Sequence, residues 1–143
     1  MEQELTEDAL LGGRIRIRQP KRGYRVNVDT LLLASAVEAR PGMRLLEVGC
    51  GVGAALIAVA ARTANAKFVG LERNANMASI ARENLAMNGM STDAEIVVGD
   101  VLGRDANQAA LSGTFDGVFF NPPFDAEGEG RAPSEARRHA YIA

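Results

Sequence analysis

Apolar positions in this chain fall into short runs separated by glycine, proline and polar residues, and the character of the runs changes near residue 43. Upstream, "RIRIRQ" (14–19) alternates arginine with isoleucine, a period of two that predicts a strand with one apolar and one basic face. "PKRGY" (20–24) supplies turn residues and "RVNV" (25–28) reads as a returning strand, so a basic hairpin is expected over 14–26. Residues 1–13 read as an acidic N-terminal tail. A helix is expected over "TLLLASAVEAR" (30–40), capped by Asn27 or Asp29 and stopped by Pro41 and Gly42.

Downstream, strand and helix alternate. "MRLLEV" (43–48) is a buried-strand run that ends in the loop "GCGVG" (49–53), and an alanine-rich helix follows over 54–64. "KFVGLE" (67–72) predicts a second strand, "ANMASIARENLAMN" (75–88) a helix stopped by Gly89, and "AEIVVGD" (94–100) a third strand. A weaker helix or loop covers 103–112, and "FDGVFF" (115–120) is a fourth strand. Repeated β-α-β units of this length imply an α/β fold, with a parallel sheet and helices on both faces. The polar segment 128–143 reads as a loop leading into a helix, with His139 as a surface residue.

Composition narrows the class. With 143 residues the chain is one domain at most, and 47% apolar and 24% charged residues are ordinary for a globular protein. No apolar run approaches the roughly 18–20 residues that span a bilayer, and an acidic N-terminus does not resemble a secretory or transit signal. Cys50 is the single cysteine, which excludes a disulfide framework and a cysteine-based metal cluster. These features together predict a cytoplasmic protein without membrane contact.

The net charge of −2 hides an uneven distribution. Arg14, Arg16, Arg18, Lys21, Arg22 and Arg25 fall within twelve residues, with no acid among them. Such a patch is a candidate nucleic-acid footprint, the alternative being a solvated strand face.

The loop "EVGCGVGA" (47–54) joins a strand to a helix, where glycines admit a ligand close to the backbone and the helix start offers N–H groups. Gly49, Gly51 and Ala54 satisfy the relaxed dinucleotide fingerprint, and Gly53 completes the loop. Glu47, two residues before the first glycine, would repel a pyrophosphate and attract a sulfonium amino acid. Glu72, 23 positions after Gly49, ends the second strand where an acid bonds ribose hydroxyls. Asp100 is a third carboxylate at a strand end, suited to an adenine amino group. Their neighbours Arg73 and Val101 join the candidate cofactor contacts.

"NPPF" (121–124) ends the fourth strand. An amino group conjugated with a ring is a poor nucleophile, and hydrogen-bond acceptors that draw it toward tetrahedral shape release its lone pair. Asn121 offers a side-chain oxygen, Pro122 a carbonyl on a stiff backbone, and Phe124 a face on which a base can stack. Metal ligands are not predicted.

In this order "EVGCGVG", "GLE", "VVGD" and "NPPF" resemble the class I, S-adenosyl-L-methionine-dependent methyltransferases that modify amino nitrogens. "LLGGRIRIRQPKRGYRVNVDTLLLASAV" resembles, more narrowly, bacterial tRNA(Val) (adenine-N6)-methyltransferases of the NPPF/NPPY type, and the likeness covers about residues 10–135. The resemblance implies a Rossmann-like fold over 14–143 and S-adenosyl-L-methionine as donor, with S-adenosyl-L-homocysteine as product. It further implies an RNA substrate, expected to be a tRNA, and cofactor contacts from Tyr24, Asp29 and Thr30. A full domain of that superfamily has seven strands in the order 3-2-1-4-5-7-6. Only strands 1–4 are present here, so the chain is expected to be a fragment of a longer protein, or else to pair its exposed fourth-strand edge with a second copy. Alternatives left open are methylation of a protein glutamine amide or an rRNA guanine amine, a nicotinamide-dependent oxidoreductase, and a non-catalytic cofactor-binding fragment.

Overall fold

The computed structural model describes residues 3–23, 25–103 and 109–121. Two strands, β1 (Leu5–Leu10) and β2 (Ile15–Pro20), form an antiparallel hairpin; helix α1 (Val28–Ala36) follows. The remainder alternates: β3 (Arg44–Val48), α2 (Ala54–Ala61), β4 (Lys67–Glu72), α3 (Ala75–Met87), β5 (Ala94–Val98), a 3-10 turn at Ala109–Leu111, and β6 (Gly117–Phe120). The last four strands form one parallel sheet in the order β5-β4-β3-β6. This is the expected order for the first four strands of the predicted fold.

Register and alternation assign the two faces. Leu45, Phe68, Ile96 and Phe119 point to one side and share a core with α2, α3, Ala34 of α1, and Ile15 and Ile17 of the hairpin. Val69, Leu71 and Val97 point to the other, where Ala110, Leu111 and Phe115 cover them. Helices on both faces were expected; among the described residues all three α-helices lie on the first face, and the 3-10 turn stands on the second. Right-handed crossovers require this, because β3→β4→β5 steps in one direction and the return to β6 reverses it. The reversal lies between β3 and β6, the place where ligands enter such sheets.

Three expectations upstream are corrected. Residues 5–10 are a strand, not a tail. β2 pairs with β1 and not with residues 25–28, which form no strand. The physical reason is charge: Glu7 lies opposite Arg18 and ion-pairs with both Arg16 (3.4 Å) and Arg18 (3.6 Å). Lys21 pairs with Glu4 and Arg25 with Asp8. Helix α1 ends at Ala36, well short of Pro41, because Val37 is extended and the Arg62 guanidinium takes the Ala34 and Val37 carbonyls. Its start is capped by Asn27, which shares a capping box with Thr30. Among the described residues no helix is long and apolar enough to cross a membrane.

Candidate functional site

The glycine loop owes its shape to backbone bonds that only unusual dihedrals allow. Gly49 and Cys50 both donate to Leu71 O (2.8 and 3.0 Å), folding the chain over the end of β4. Gly49, Gly51 and Gly53 all have positive φ (70°, 56° and 87°), a region that L side chains rarely adopt. Gly53 is the N-cap of α2 and brings no side-chain bond, so the helix start depends on other groups for its amides.

Glu47 supplies one of them. It lies on β3 opposite Phe119, is 3% exposed, and its Oε1 has no hydrogen-bond partner. Burial pushes its pKa well above the usual carboxyl value and the Glu72 charge adds to the shift, while a bond from the Leu56 backbone amide opposes it. A buried carboxylate with an unpaired oxygen is costly unless a cation or donor meets it. Glu72 is half-buried: Oε2 accepts from Gly51 N (3.1 Å) and Oε1 from Asn74 N (3.3 Å). Asp100 is exposed, and its Oδ1 accepts from Leu102 N.

These elements frame a small, partly open cleft at the carboxyl end of β3 and β6. Of the residues the sequence marked, Thr30, Glu47, Gly49, Gly51 and Asn121 line it together. Gly53, the N-cap of α2, and Glu72, bonded to Gly51 N, are not among the lining residues, and Asp29, Arg73, Asp100 and Val101 do not line the cleft and are exposed. Tyr24, Pro122 and Phe124 lie outside the described residues. Ala54 of the fingerprint lines it too, and the sequence reading missed Val26, Cys50, Val52, Ala55 and Met77 as lining residues. Their only signal was position: two are loop residues between the marked glycines, and Val26 directly precedes the cap Asn27.

The basic footprint is altered most. Arg14, Arg16, Arg18 and Arg22 are exposed. Arg16, Arg18, Lys21 and Arg25 are all ion-paired with acids of β1 or its N-terminal flank. Arg25 is also fastened to Thr6 and to the Pro20 carbonyl. Arg14 and Arg22 have no ion pair among the described residues.

Residues 23–136 match the model of a family described as Methyltransferase small domain. The chain is 32% identical over 108 residues to a release factor glutamine methyltransferase of Agrobacterium fabrum, covering 74% of this chain and 35% of that relative. It is 31% identical over 112 residues to a tRNA1(Val) (adenine(37)-N6)-methyltransferase of Actinobacillus pleuropneumoniae, covering 78% and 45%. A solved structure of a predicted O-methyltransferase from Agrobacterium tumefaciens superposes with a TM-score of 0.58 at 37% identity, over 66% of this chain and 49% of that one. The chain thus spans less than half the length of these relatives.

Proposed function

Because the chain belongs to the methyltransferase small domain family, whose methyl donor is S-adenosyl-L-methionine, we propose that it transfers a methyl group to an exocyclic amino nitrogen, N6 of an adenosine in a tRNA. The observation that carries the reading is that Asn121, at the tip of β6, lines the same cleft as the buried, half-unpaired Glu47. The residues fit the donor. Glu47 answers a cationic ligand, the Gly49–Gly51 backbone allows close approach, and Glu72, already fixed by two amides, keeps lone pairs for ribose hydroxyls. Asp100, exposed beyond the end of β5, would meet the far end of such a molecule in this proposal.

When bound, the donor supplies an electrophilic methyl on a sulfur that leaves as a neutral thioether. The protein's part is placement. Asn121 accepts hydrogen bonds from the amino group through its side-chain oxygen and holds the nitrogen for in-line attack. Pro122 and Phe124, next in sequence, add a carbonyl acceptor and a stacking face in this proposal. The hairpin would meet the RNA backbone chiefly through Arg14 and Arg22, its unpaired cations.

A second reading is favoured by that same pairing. With Arg16, Arg18, Lys21 and Arg25 matched by β1 acids, the cationic surface is smaller than the sequence suggested, which suits a protein glutamine amide as the methyl acceptor. Both readings use Asn121 alike. The test is transfer of labelled methyl from S-adenosyl-L-methionine to unmodified tRNA and, separately, to a peptide-release factor. Asn121→Ala should lower transfer by at least about a hundredfold and leave S-adenosyl-L-homocysteine affinity within about threefold. A variant with full rate would remove the asparagine from the chemistry, and label on the release factor alone would replace the tRNA substrate.

A further inference from the structure

We infer that Asn84 is a positioning residue for the donor pocket, joining the glycine loop to the N-terminal hairpin through one buried side-chain amide. The inference rests on the reading of that cleft as the S-adenosyl-L-methionine site.

Asparagine is a poor helix former, yet Asn84 sits within α3 and is 0% exposed. A buried amide must be satisfied, and this one is. Its Oδ1 accepts from Arg18 N (2.8 Å), and its Nδ2 donates to Arg18 O (2.9 Å) and to Val52 O (2.9 Å). The first two bonds complete a strand edge. β2 meets β1 through Ile15, Ile17 and Gln19, so the backbone groups of Arg16 and Arg18 face the opposite way. Asn88, one turn along α3, treats Arg16 identically: Oδ1 accepts from Arg16 N (3.0 Å) and Nδ2 donates to Arg16 O (2.8 Å). Two amides on one helix face thus stand in for a missing third strand.

Each amide makes one more bond, Asn88 to the Asn84 carbonyl of its own helix (2.8 Å) and Asn84 to the glycine loop. Val52 lies between Gly51 and Gly53, and its carbonyl sets the direction of the peptide that enters the left-handed Gly53 at the start of α2. That stretch is the floor of the cleft. Another part of the lining, Val26 and Thr30, hangs from the same strand, because Val26 N donates to Gln19 Oε1 (2.8 Å). Both parts therefore refer their positions to β2, one through Gln19 and the other through Asn84.

The pair of asparagines provides its own control. Asn84→Ala and Asn88→Ala each strip two bonds from β2 and should each lower the melting temperature, but only the first frees the Val52 carbonyl. Calorimetric titration of the full chain with S-adenosyl-L-homocysteine, below both melting ranges, should give Asn88→Ala within about twofold of wild type and Asn84→Ala weaker by about tenfold. Should Asn84→Ala fail to fold, Asn84→Asp keeps the shape and the acceptor for Arg18 N but has no donor for Val52, and the same contrast is expected. Equal affinities in the two variants, whether unchanged or equally weakened, overturn the inference. If the wild-type chain does not bind the homocysteine, the reading of the cleft falls as well, which the wild-type titration alone reveals.

Discussion

Replacing Glu47 by glutamine should stabilise the ligand-free chain increasingly as pH rises, and should weaken its hold on the donor. The carboxyl is 3% exposed, Oε1 is unpartnered, and burial raises its pKa well above 4.5, with Glu72 adding to the shift and the Leu56 amide opposing it. A carboxyl harder to ionise when folded keeps its proton longer in the native state than in the unfolded chain. Its contribution to stability is fully present below the unfolded value and is lost as pH climbs from there through the folded pKa. Over that window each pH unit removes about 1.4 kcal/mol, and above it the loss is constant. Glutamine does not titrate, and any cost of burying its amide is the same at every pH. The difference in melting temperature between variant and wild type should therefore widen by about 4 °C per pH unit for a chain of this length. Melts of both proteins between about pH 4.5 and about pH 8 measure that slope. Titration with S-adenosyl-L-methionine should show the opposite sign of effect, a Kd raised by about tenfold through loss of a charged acceptor. A melting difference that does not change with pH, or undiminished affinity in the variant, would refute the reasoning.

Two further outcomes follow from close contacts and from charge. A Cβ at Gly70 would stand 2.8 Å from Ile96 Cδ1 and 2.9 Å from Cys50 Sγ, so Gly70→Ala should cost about 1–3 kcal/mol in urea unfolding. Unchanged stability would mean that the loop holding Cys50 yields freely. If RNA binds the hairpin, Arg14→Ala with Arg22→Ala should flatten the salt dependence of binding by up to about 0.9 per lost phosphate contact. Arg16→Ala with Arg18→Ala should flatten it less, since both already face Glu7; the reverse ranking would show that the ion pairs open on binding.

The parallel sheet was legible because its strands read as largely apolar runs bounded by glycine and polar residues, even where, as at Val118 and Phe120 of β6, one face is exposed. The reading of 67–72 coincides with β4, and those of 43–48 and 75–88 each exceed β3 and α3 by one residue. The hairpin was not legible. "LTEDAL" carries three acids or hydroxyls in its centre and suggests a solvated tail until Arg16 and Arg18 are set across from it. Cross-strand charge complementarity is a property of a pair and is invisible in either strand alone. The same holds for Asn84 and Asn88, which in the sequence are ordinary polar positions of an amphipathic helix. Only the backbone of β2 behind them discloses what their amides satisfy.

Three carboxylates at successive strand ends differ in burial because the sheet has a centre and an edge. Glu47 is on β3, flanked by β4 and β6, points into the helix-covered face and is buried at the cleft lining. Glu72 ends the next strand, one residue past the pairing of Val48 with Leu71, so its carboxylate rises far enough to take the Gly51 amide while staying half-solvated. Asp100 lies two residues beyond β5, the outer strand, and is exposed. The electrostatic force of a charge grows as its surroundings lose water, so the central acid exerts the strongest pull on a cation and bears the largest penalty without one. The outer two, still hydrated, would in the proposed function meet hydroxyls and amines, whose bonds need direction more than charge. The burial thus falls from Glu47 through Glu72 to Asp100 in the order of their strands, from β3 inside the sheet to β5 at its edge.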